Sequence, residues 1–173
     1  MKILLLILAT LALLVAVAWL IGALLPREHT ATRSLVLRRS ASELFGVARD
    51  LAHHSEWRHD VRTVEILSAA GAPVRYREVS GHGAIVYTLR SEEPPHRLVT
   101  AIDDPSQPFG GTWTIEFTPA GEGSTRVRIT EQGYVGPALF RFLSRFVFGH
   151  TRTMENYLRH LAAKFQQPAS IES

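Results

Sequence analysis

The sequence predicts an α+β domain in which an antiparallel sheet of about seven strands wraps around one long C-terminal helix. A single transmembrane helix is predicted to precede this domain. Three observations predict this arrangement. Residues 3–25 form a run of 23 residues without a charge, residues 61–133 alternate between apolar and polar side chains with short turns between the segments, and residues 139–165 repeat with a helical period.

Residues 1–26 are predicted to be a transmembrane anchor. At about 1.5 Å per residue, the apolar run is long enough to cross a hydrocarbon core of about 30 Å, and Pro26 ends it. A cleaved signal peptide is the alternative, because the segment 16–18 (Ala-Val-Ala) resembles a cleavage site. The run continues for seven residues beyond that segment, however, and signal peptides have shorter apolar regions of about 7–15 residues. We therefore expect a single-pass protein of the cell membrane.

The side of the membrane that carries the domain is less clearly indicated. Arginines at positions 27, 33, 38 and 39 follow the anchor, whereas only Lys2 and the amino terminus precede it. The positive-inside rule therefore favours a cytoplasmic domain, although these arginines lie in a predicted strand. The absence of cysteine excludes a disulfide framework and thiol-ligated metal, and leaves the compartment open.

Residues 27–167 are predicted to form one domain, followed by a disordered polar tail at 168–173. A first strand occupies residues 28–39, and the segment SASELFGVARDL starts a helix with Ser40 or Ser42 as its N-cap. The segment HHSEW reads as a second short helix. Six strands follow, and their connections are too short for parallel crossovers, so the sheet is expected to be antiparallel.

The final helix, predicted over 139–165, has an apolar stripe and an opposing basic stripe. On a helical projection the basic stripe points to solvent and the apolar stripe packs on the sheet. Headgroups of anionic lipids are a second possible partner for the basic stripe. The apolar stripe comprises Leu139, Leu143, Phe146, His150, Met154, Tyr157 and Leu161, and the basic stripe comprises Arg141, Arg145, Arg152 and Arg159.

Three segments carry a resemblance to a known superfamily. They are SASELFGVARDLAHHSEWRHDVRTVEIL, the hairpin GTWTIEFTPAGEGSTRVRITEQG, and the terminal helix. Over about residues 28–166 the chain resembles the SRPBCC superfamily, which joins START lipid-transfer domains, polyketide cyclases and pollen-allergen-type ligand carriers. The resemblance implies a helix-grip fold with a cavity between sheet and helix. The superfamily has no universal catalytic motif, and the N-terminal anchor departs from its soluble members.

The residues expected to shape a ligand site are mostly large side chains on the inward faces of the sheet and final helix. Trp57 also matches a family position that packs beneath the helix-to-strand turn, so a structural role is the main interpretation for it. Glu131 is placed at the rim, since burying an unpaired carboxylate would be costly. The predicted ligand-binding residues are Trp57, Tyr76, Tyr87, Trp113, Phe117, Glu131, Phe146, His150 and Met154.

Two groups of histidines need separate interpretation. His150 lies within the apolar stripe, where it is either a core histidine with a hydrogen-bond partner or a polar group that contacts a ligand. The segment 53–60 contains His53, His54, His59 and Asp60, but their spacing does not make a metal site. We interpret that segment as an exposed polar connection and expect no metal and no cofactor.

The glycine pairs and the charge distribution exclude several function classes. Gly110-Gly111 flanks a strand with no helix after it, so phosphate-binding loops are excluded, and no nucleophile motif is present. Residues 27–137 contain 13 arginines and 14 acidic residues, so the basic excess is confined to the final helix. A nearly neutral domain behind a membrane anchor is not expected to bind nucleic acid.

Binding of a hydrophobic small molecule is the function that the sequence favours. The molecule could be a lipid, a quinone-like compound or a polyketide-like compound. The alternative is a cyclase- or dehydratase-like enzyme that uses a polar pair in the same cavity as acid and base. We find few inward-facing ionisable residues beyond Glu131 and His150, and nothing in the sequence places those two together. A structural role with a collapsed cavity is the third possibility.

Overall fold

The computed structural model describes residues 1–81 and 83–173. A long N-terminal helix precedes a seven-stranded sheet, two short helices follow the first strand, and further helical segments follow the last strand. In chain order the elements are α1 (Lys2–Leu24), β1 (Glu28–Leu37), α2 (Ala41–Arg49), α3 (His54–Trp57), β2 (Val61–Ile66), β3 (Arg75–Ser80), β4 (Gly83–Glu93), β5 (Arg97–Ile102), β6 (Phe109–Pro119), β7 (Thr125–Val135), α4 (Ala138–Leu143), a π-helical turn (Ser144–Phe148) and α5 (Arg152–Lys164).

The sheet is antiparallel throughout and has the order β1-β7-β6-β5-β4-β3-β2. Strands β2 to β7 follow one another as a meander, and β1 pairs with β7 along its whole length. The predicted α+β class, the seven strands and the two short helices after the first strand are confirmed. The sheet forms one wall of the domain, and α2, α3 and α5 cover it.

Helix α2 begins where the sequence places an N-cap. The Ser40 side chain accepts a hydrogen bond from the Glu43 backbone N–H, and the Glu43 carboxylate accepts one from the Ser40 backbone N–H. This reciprocal capping box satisfies two backbone donors that a helix start otherwise leaves free. Leu44 and Ala48 are then fully buried against the sheet.

The prediction of one continuous helix over 139–165 is wrong. Gly149 has φ 74° and ψ 150°, a conformation outside any right-handed helix, and the turn before it is π-helical. Residues before and after this break therefore follow different helical phases. As a result Phe146, predicted to face the sheet, is 60% exposed, and Arg141, predicted to face solvent, is only 8% exposed.

Helix α4 packs against the C-terminal end of α1. A Cβ atom placed on Gly22 would lie 1.9 Å from the carbonyl oxygen of Ala138, so only glycine permits this approach. The Arg141 guanidinium donates to the Gly22 carbonyl at 2.8 Å and also to the Gly136 carbonyl. These bonds satisfy a carbonyl in the last turn of α1 and join the N-terminal helix to the domain.

The core lies between the sheet and the helices α2 and α5. Arg33 of β1 donates to the Glu155 carboxylate of α5 at 3.0 Å, which fixes α5 across the sheet. The predicted disordered tail is instead paired, since Ser34 and Glu172 exchange two backbone hydrogen bonds and Ile171 packs on the core. The fully buried large side chains are Phe117, Leu35, Leu37, Leu44, Leu98, Ile129, Met154, Leu158, Leu161 and Val127.

Candidate functional site

A cavity of about 320 Å³ lies between the inner face of the sheet and α5. This volume falls at the lower end of the range of about 300–1,000 Å³ that is typical of small-molecule sites. Its apolar wall comes from several strands and from α2 with the turn after it. The apolar lining residues are Ala48, Leu51, Ile85, Leu98, Ile102, Phe109, Trp113, Ile115 and Val135.

The first of two polar groups in this cavity, the inner polar cluster, consists of His54, Arg58, Glu78 and Tyr157. Arg58 donates to the Glu78 carboxylate at 2.7 Å, and the His54 ring lies 3.3 Å from the same oxygen. The other His54 nitrogen lies 3.0 Å from the Ala48 carbonyl. All four side chains are at least nine-tenths buried.

Burial alone would raise the pKa of Glu78, but the His54 hydrogen bond and the Arg58 charge outweigh it and lower that pKa. Burial opposes the charge of Arg58 as well, while Glu78 and Asp60 more than compensate and raise the pKa of Arg58. Both groups are therefore charged at neutral pH. The ion pair is buried, so each partner prevents the other from being an uncompensated charge.

The fourth member of this cluster, Tyr157, has a buried hydroxyl group. The guanidinium of Arg58 lies 5.3 Å from the centre of its ring, and burial raises the pKa of Tyr157, so the hydroxyl stays protonated. Within residues 1–81 and 83–173, the hydroxyl of Tyr157 and Nε of Arg58 are buried without a hydrogen-bond partner. Both residues line the cavity, so these polar atoms are candidates for contact with a bound molecule.

The outer polar cluster consists of His29, Trp113, Glu131 and His150. The Trp113 indole donates to Glu131 at 2.6 Å, and Nε2 of His29 lies 2.9 Å from the other carboxylate oxygen. The rings of His29 and His150 stack with their centres 3.9 Å apart. Burial, followed by the neighbouring His29, lowers the pKa of His150, which therefore carries a neutral imidazole at pH 7.

Aromatic side chains connect and extend the two clusters. The rings of Trp113 and Tyr157 meet edge to face at 6.0 Å, which joins the clusters across the cavity. Tyr76 and Tyr87 stack at 5.4 Å on neighbouring strands, and burial raises the pKa of both phenols. The site can thus hold an apolar body and offer it hydrogen-bond donors and acceptors at both ends.

The sequence profile of the family described as "Polyketide cyclase / dehydrase and lipid transport" matches residues 28–166. The chain belongs to this family. The match begins with β1 and ends just after α5, so it spans the whole sheet-and-helix domain and leaves α1 outside. No curated protein matches the chain at a significant level.

Solved structures show the same fold at low sequence identity. A START superfamily protein from Mycobacterium smegmatis has a TM-score of 0.64 and 15% identity, covering 79% of this chain and 96% of its own. Norcoclaurine synthase from Thalictrum flavum has a TM-score of 0.66 and 12% identity, with coverage of 82% and 95%. The ZhuI aromatase/cyclase from Streptomyces sp. R1128 has a TM-score of 0.64 and 13% identity, with coverage of 79% and 93%. The predicted helix-grip fold of the SRPBCC superfamily is confirmed.

The cavity of this polyketide cyclase/dehydrase family domain contains five of the nine sequence-predicted residues. Tyr76, Tyr87, Trp113, Glu131 and His150 line it. Nothing in the sequence places Glu131 and His150 together, but in the structure His29 links them, since its ring bonds the Glu131 carboxylate and stacks on the His150 ring.

The remaining four predicted residues do not line this cavity. Trp57 and Met154 belong to the closed core, and Phe117 packs edge to face on Phe45 there. Phe146 projects outward from the π-helical turn and is exposed, because the break at Gly149 changes the helical phase. The alternation of side chains along strands and helices identifies which residues face inward. It does not show which of those residues pack in the closed core and which line a cavity.

The inner polar cluster is the part of the site that the sequence analysis missed. The sequence predicts an exposed connection over 53–60, whereas His54 and Arg58 are buried there and His53, Glu56 and His59 are exposed. Glu78 shares strand β3 and its inward parity with Tyr76, which was the available signal. No group of three or more histidine, aspartate or glutamate side chains in the described residues could hold a metal ion.

Proposed function

We propose that this chain is a membrane-anchored domain that binds one hydrophobic small molecule in the cavity between the sheet and α5. The observation that carries the proposal is the cavity itself, which is apolar along its walls and polar at two buried clusters. A lipid, quinone-like or polyketide-like compound with carbonyl or hydroxyl groups has the matching chemistry. The family description and the fold agree with this class of ligand.

The anchor is part of the proposal. In the described residues one helix, Lys2–Leu24, is long and apolar enough to cross a membrane. Almost all of its side chains are exposed in the isolated chain, as expected for a surface that contacts lipid. The proposal includes a domain held at the membrane surface through residues 3–25, and the cytoplasmic side is the orientation that the flanking arginines favour.

Native mass spectrometry of the detergent-extracted full-length chain tests ligand binding. We expect one small hydrophobic molecule per chain, identified after organic extraction. The variant Thr100→Trp fills the cavity, because Thr100 lines it, and should lose the bound mass. The matched control Thr114→Trp changes the opposite face of the sheet, since its neighbours Trp113 and Ile115 face inward. Equal retention of the molecule by both variants would place it outside the cavity.

An acid–base enzyme is the second candidate, and the outer polar cluster favours it. The neutral imidazole of His150 can accept a proton, and the adjacent His29–Glu131 pair supplies a second site for proton transfer. Such a pair suits a dehydration, in which one group removes a proton from carbon while another protonates the departing hydroxyl. Incubating the extracted ligand with the chain tests this candidate. A product lighter by one water that does not form with His150→Leu supports catalysis, and an unchanged ligand supports binding alone.

A further inference from the structure

A second cavity, of about 280 Å³, lies at the point where α1 enters the domain. The segment 25–30 forms one side of it, and residues of β7, α4 and the π-helical turn form the other. His29 and His150 line both cavities, so their stacked rings form part of a wall between the second cavity and the ligand cavity.

The second cavity is positively charged. Three arginines line it, Arg27, Arg141 and Arg145, against a single carboxylate, Glu28. Arg141 is buried and donates to backbone carbonyls, which orients its charge without neutralising it. The side chains of Arg27 and Arg145 are exposed and form no ion pair with any residue that the structure describes. A cavity with this charge is suited to a phosphate group, which guanidinium donors bind strongly.

The position of this cavity relative to the anchor is fixed by contacts. Helix α1 ends at Leu24, and Gly22 in its last turn touches the backbone of α4. When α1 spans a bilayer, which is the part of the proposed function on which this inference rests, its last turn lies at the boundary between acyl chains and headgroups. The cavity lined by Leu25 and Pro26 then lies at headgroup depth.

Exposed apolar side chains lie on the same two elements that supply Arg141 and Arg145 to the cavity. We call this surface the phenylalanine face, and it consists of Phe140, Phe146, Val147 and Phe148, which are between 45% and 60% exposed. These side chains belong to α4 and the π-helical turn, the elements packed against or directly following the contact with α1. Exposed aromatic side chains beside a membrane-spanning helix are placed to enter the bilayer interface, with arginines reaching to the headgroups.

We propose that the second cavity binds the phosphate of an anionic membrane phospholipid, whose acyl chains stay in the bilayer against the phenylalanine face. Arg27 and Arg145 contact the phosphate, and Arg141 supplies the buried charge behind it. The lipid holds the π-helical turn, and with it His150, in a fixed position at the wall of the ligand cavity. The second cavity is thus a lipid site separate from the site of the hydrophobic ligand.

Lipid retention by the full-length chain in detergent micelles tests the proposal, with palmitoyl-oleoyl phosphatidylglycerol as the anionic probe and the matching phosphatidylcholine as the neutral one. Native mass spectrometry should show one phosphatidylglycerol bound per chain and markedly less phosphatidylcholine. Arg27→Gln and Arg145→Gln should each weaken phosphatidylglycerol binding by about fivefold. Arg152→Gln is the matched control, since Arg152 is exposed and lies outside the cavity, and it should bind like the wild type.

Three outcomes would overturn the proposal. Equal retention of both lipids would remove the role of the anionic headgroup, and unchanged binding in Arg27→Gln and Arg145→Gln would remove the site. Displacement of the lipid by an equal concentration of inorganic phosphate would indicate a soluble anion as the occupant. The cavity-filling Thr100→Trp variant separates this proposal from the ligand site, because it should lose the hydrophobic ligand and keep the phosphatidylglycerol. Unchanged melting temperatures without lipid confirm that both arginine variants fold.

Discussion

Tyr157 holds a buried hydroxyl that has no hydrogen-bond partner in the described part of the chain. A buried polar group without a partner costs about 1–3 kcal/mol, so removing it should not destabilise the protein. We predict that Tyr157→Phe keeps or slightly raises the melting temperature and weakens ligand binding by about 1–3 kcal/mol. Calorimetric unfolding and ligand titration measure the two effects on one variant.

The control for this prediction is Tyr134→Phe, which removes a hydroxyl from a half-exposed tyrosine that also lines the cavity. We expect little change in either measurement there, since water replaces the lost contact. A Tyr157→Phe variant that unfolds earlier and binds the ligand as before would show that the hydroxyl has a structural role.

The free energy of unfolding is expected to depend on pH through the carboxyl group of Glu78. Its pKa is lowered in the folded protein from an ordinary value of 4.5, so the folded state favours the ionised carboxylate. That stabilisation is fully present above pH 4.5 and is lost as the pH falls from 4.5 through the folded pKa. We predict that Glu78→Gln costs about 3 kcal/mol at pH 7, the lower end of the range for breaking a buried ion pair, because buried Arg58 then keeps only the partly exposed Asp60 carboxylate at 3.0 Å as a described partner of opposite charge.

The pH profile of the unfolding free energy checks this prediction. The wild type should lose stability on acidification below pH 4.5, and Glu78→Gln should show a shallower loss over the same window. Glu122 is an exposed carboxylate in the turn between β6 and β7, so Glu122→Gln serves as the control and should retain the wild-type acid sensitivity. If the unfolding free energy of Glu78→Gln fell below pH 4.5 as steeply as that of the wild type, Glu78 would not be the source of this acid sensitivity.

His150 illustrates what sequence could and could not establish about single residues. Helical projection places it on the stripe that faces the sheet, and the structure places it in the cavity wall. Its stacking on His29 could not be predicted, because the two residues are brought together only when β1 pairs with β7 and the final helix breaks. The same holds for Arg58 and Glu78, whose pairing depends on how α3 packs on the sheet.

His150→Leu should weaken ligand binding by about 1–3 kcal/mol, since a desolvated carbonyl or hydroxyl of the ligand loses its partner. The fold should survive, because the imidazole makes no hydrogen bond to another described residue that a leucine would break. Ligand titration together with thermal unfolding measures both quantities. Unchanged affinity for a ligand shown to occupy the cavity would end the role assigned to this residue.

At the scale of elements, the strands follow from the sequence and the final helix does not. Alternation with a period of two, together with short turns, predicts the meander because each strand has one buried face. The residues 139–165 also fit a helical period, but that period ignores the backbone of Gly149 and the π-helical turn. The break changes the helical phase of the residues before it. For this reason Phe146, predicted to be buried, is exposed, and Arg141, predicted to be exposed, is buried.

The contact between α1 and α4 gives an element-scale prediction. Gly22→Ala places a methyl group against the Ala138 carbonyl, so α4 must move away from α1. We expect faster hydrogen exchange across residues 138–148 in this variant. Gly46→Ala is the matched control, because its Cβ would meet nothing within 4 Å in the middle of α2, and there the change should stabilise by about 0.5–1 kcal/mol. Equal exchange in wild type and Gly22→Ala would contradict the packing.

For the whole molecule, the anchor assignment predicts where the protein is found in cells. A retained membrane-spanning helix resists alkaline carbonate, which strips proteins attached only through surface contacts. We predict that the full-length chain stays in the membrane pellet after carbonate extraction, with its N-terminus intact. Full-length, uncleaved chain in the soluble fraction would refute the anchor, and a chain cleaved near residue 18 would indicate a signal peptide instead.

The central claim is that a hydrophobic molecule occupies the cavity between the sheet and α5 of the membrane-anchored chain. Photocrosslinking in native membranes tests it most directly, using a diazirine analogue of the molecule that co-purifies with the protein. The account predicts adducts on peptides that carry cavity residues, above all Tyr76, Trp113 and Tyr157. Adducts confined to α1, or to the solvent face of the sheet, would contradict it.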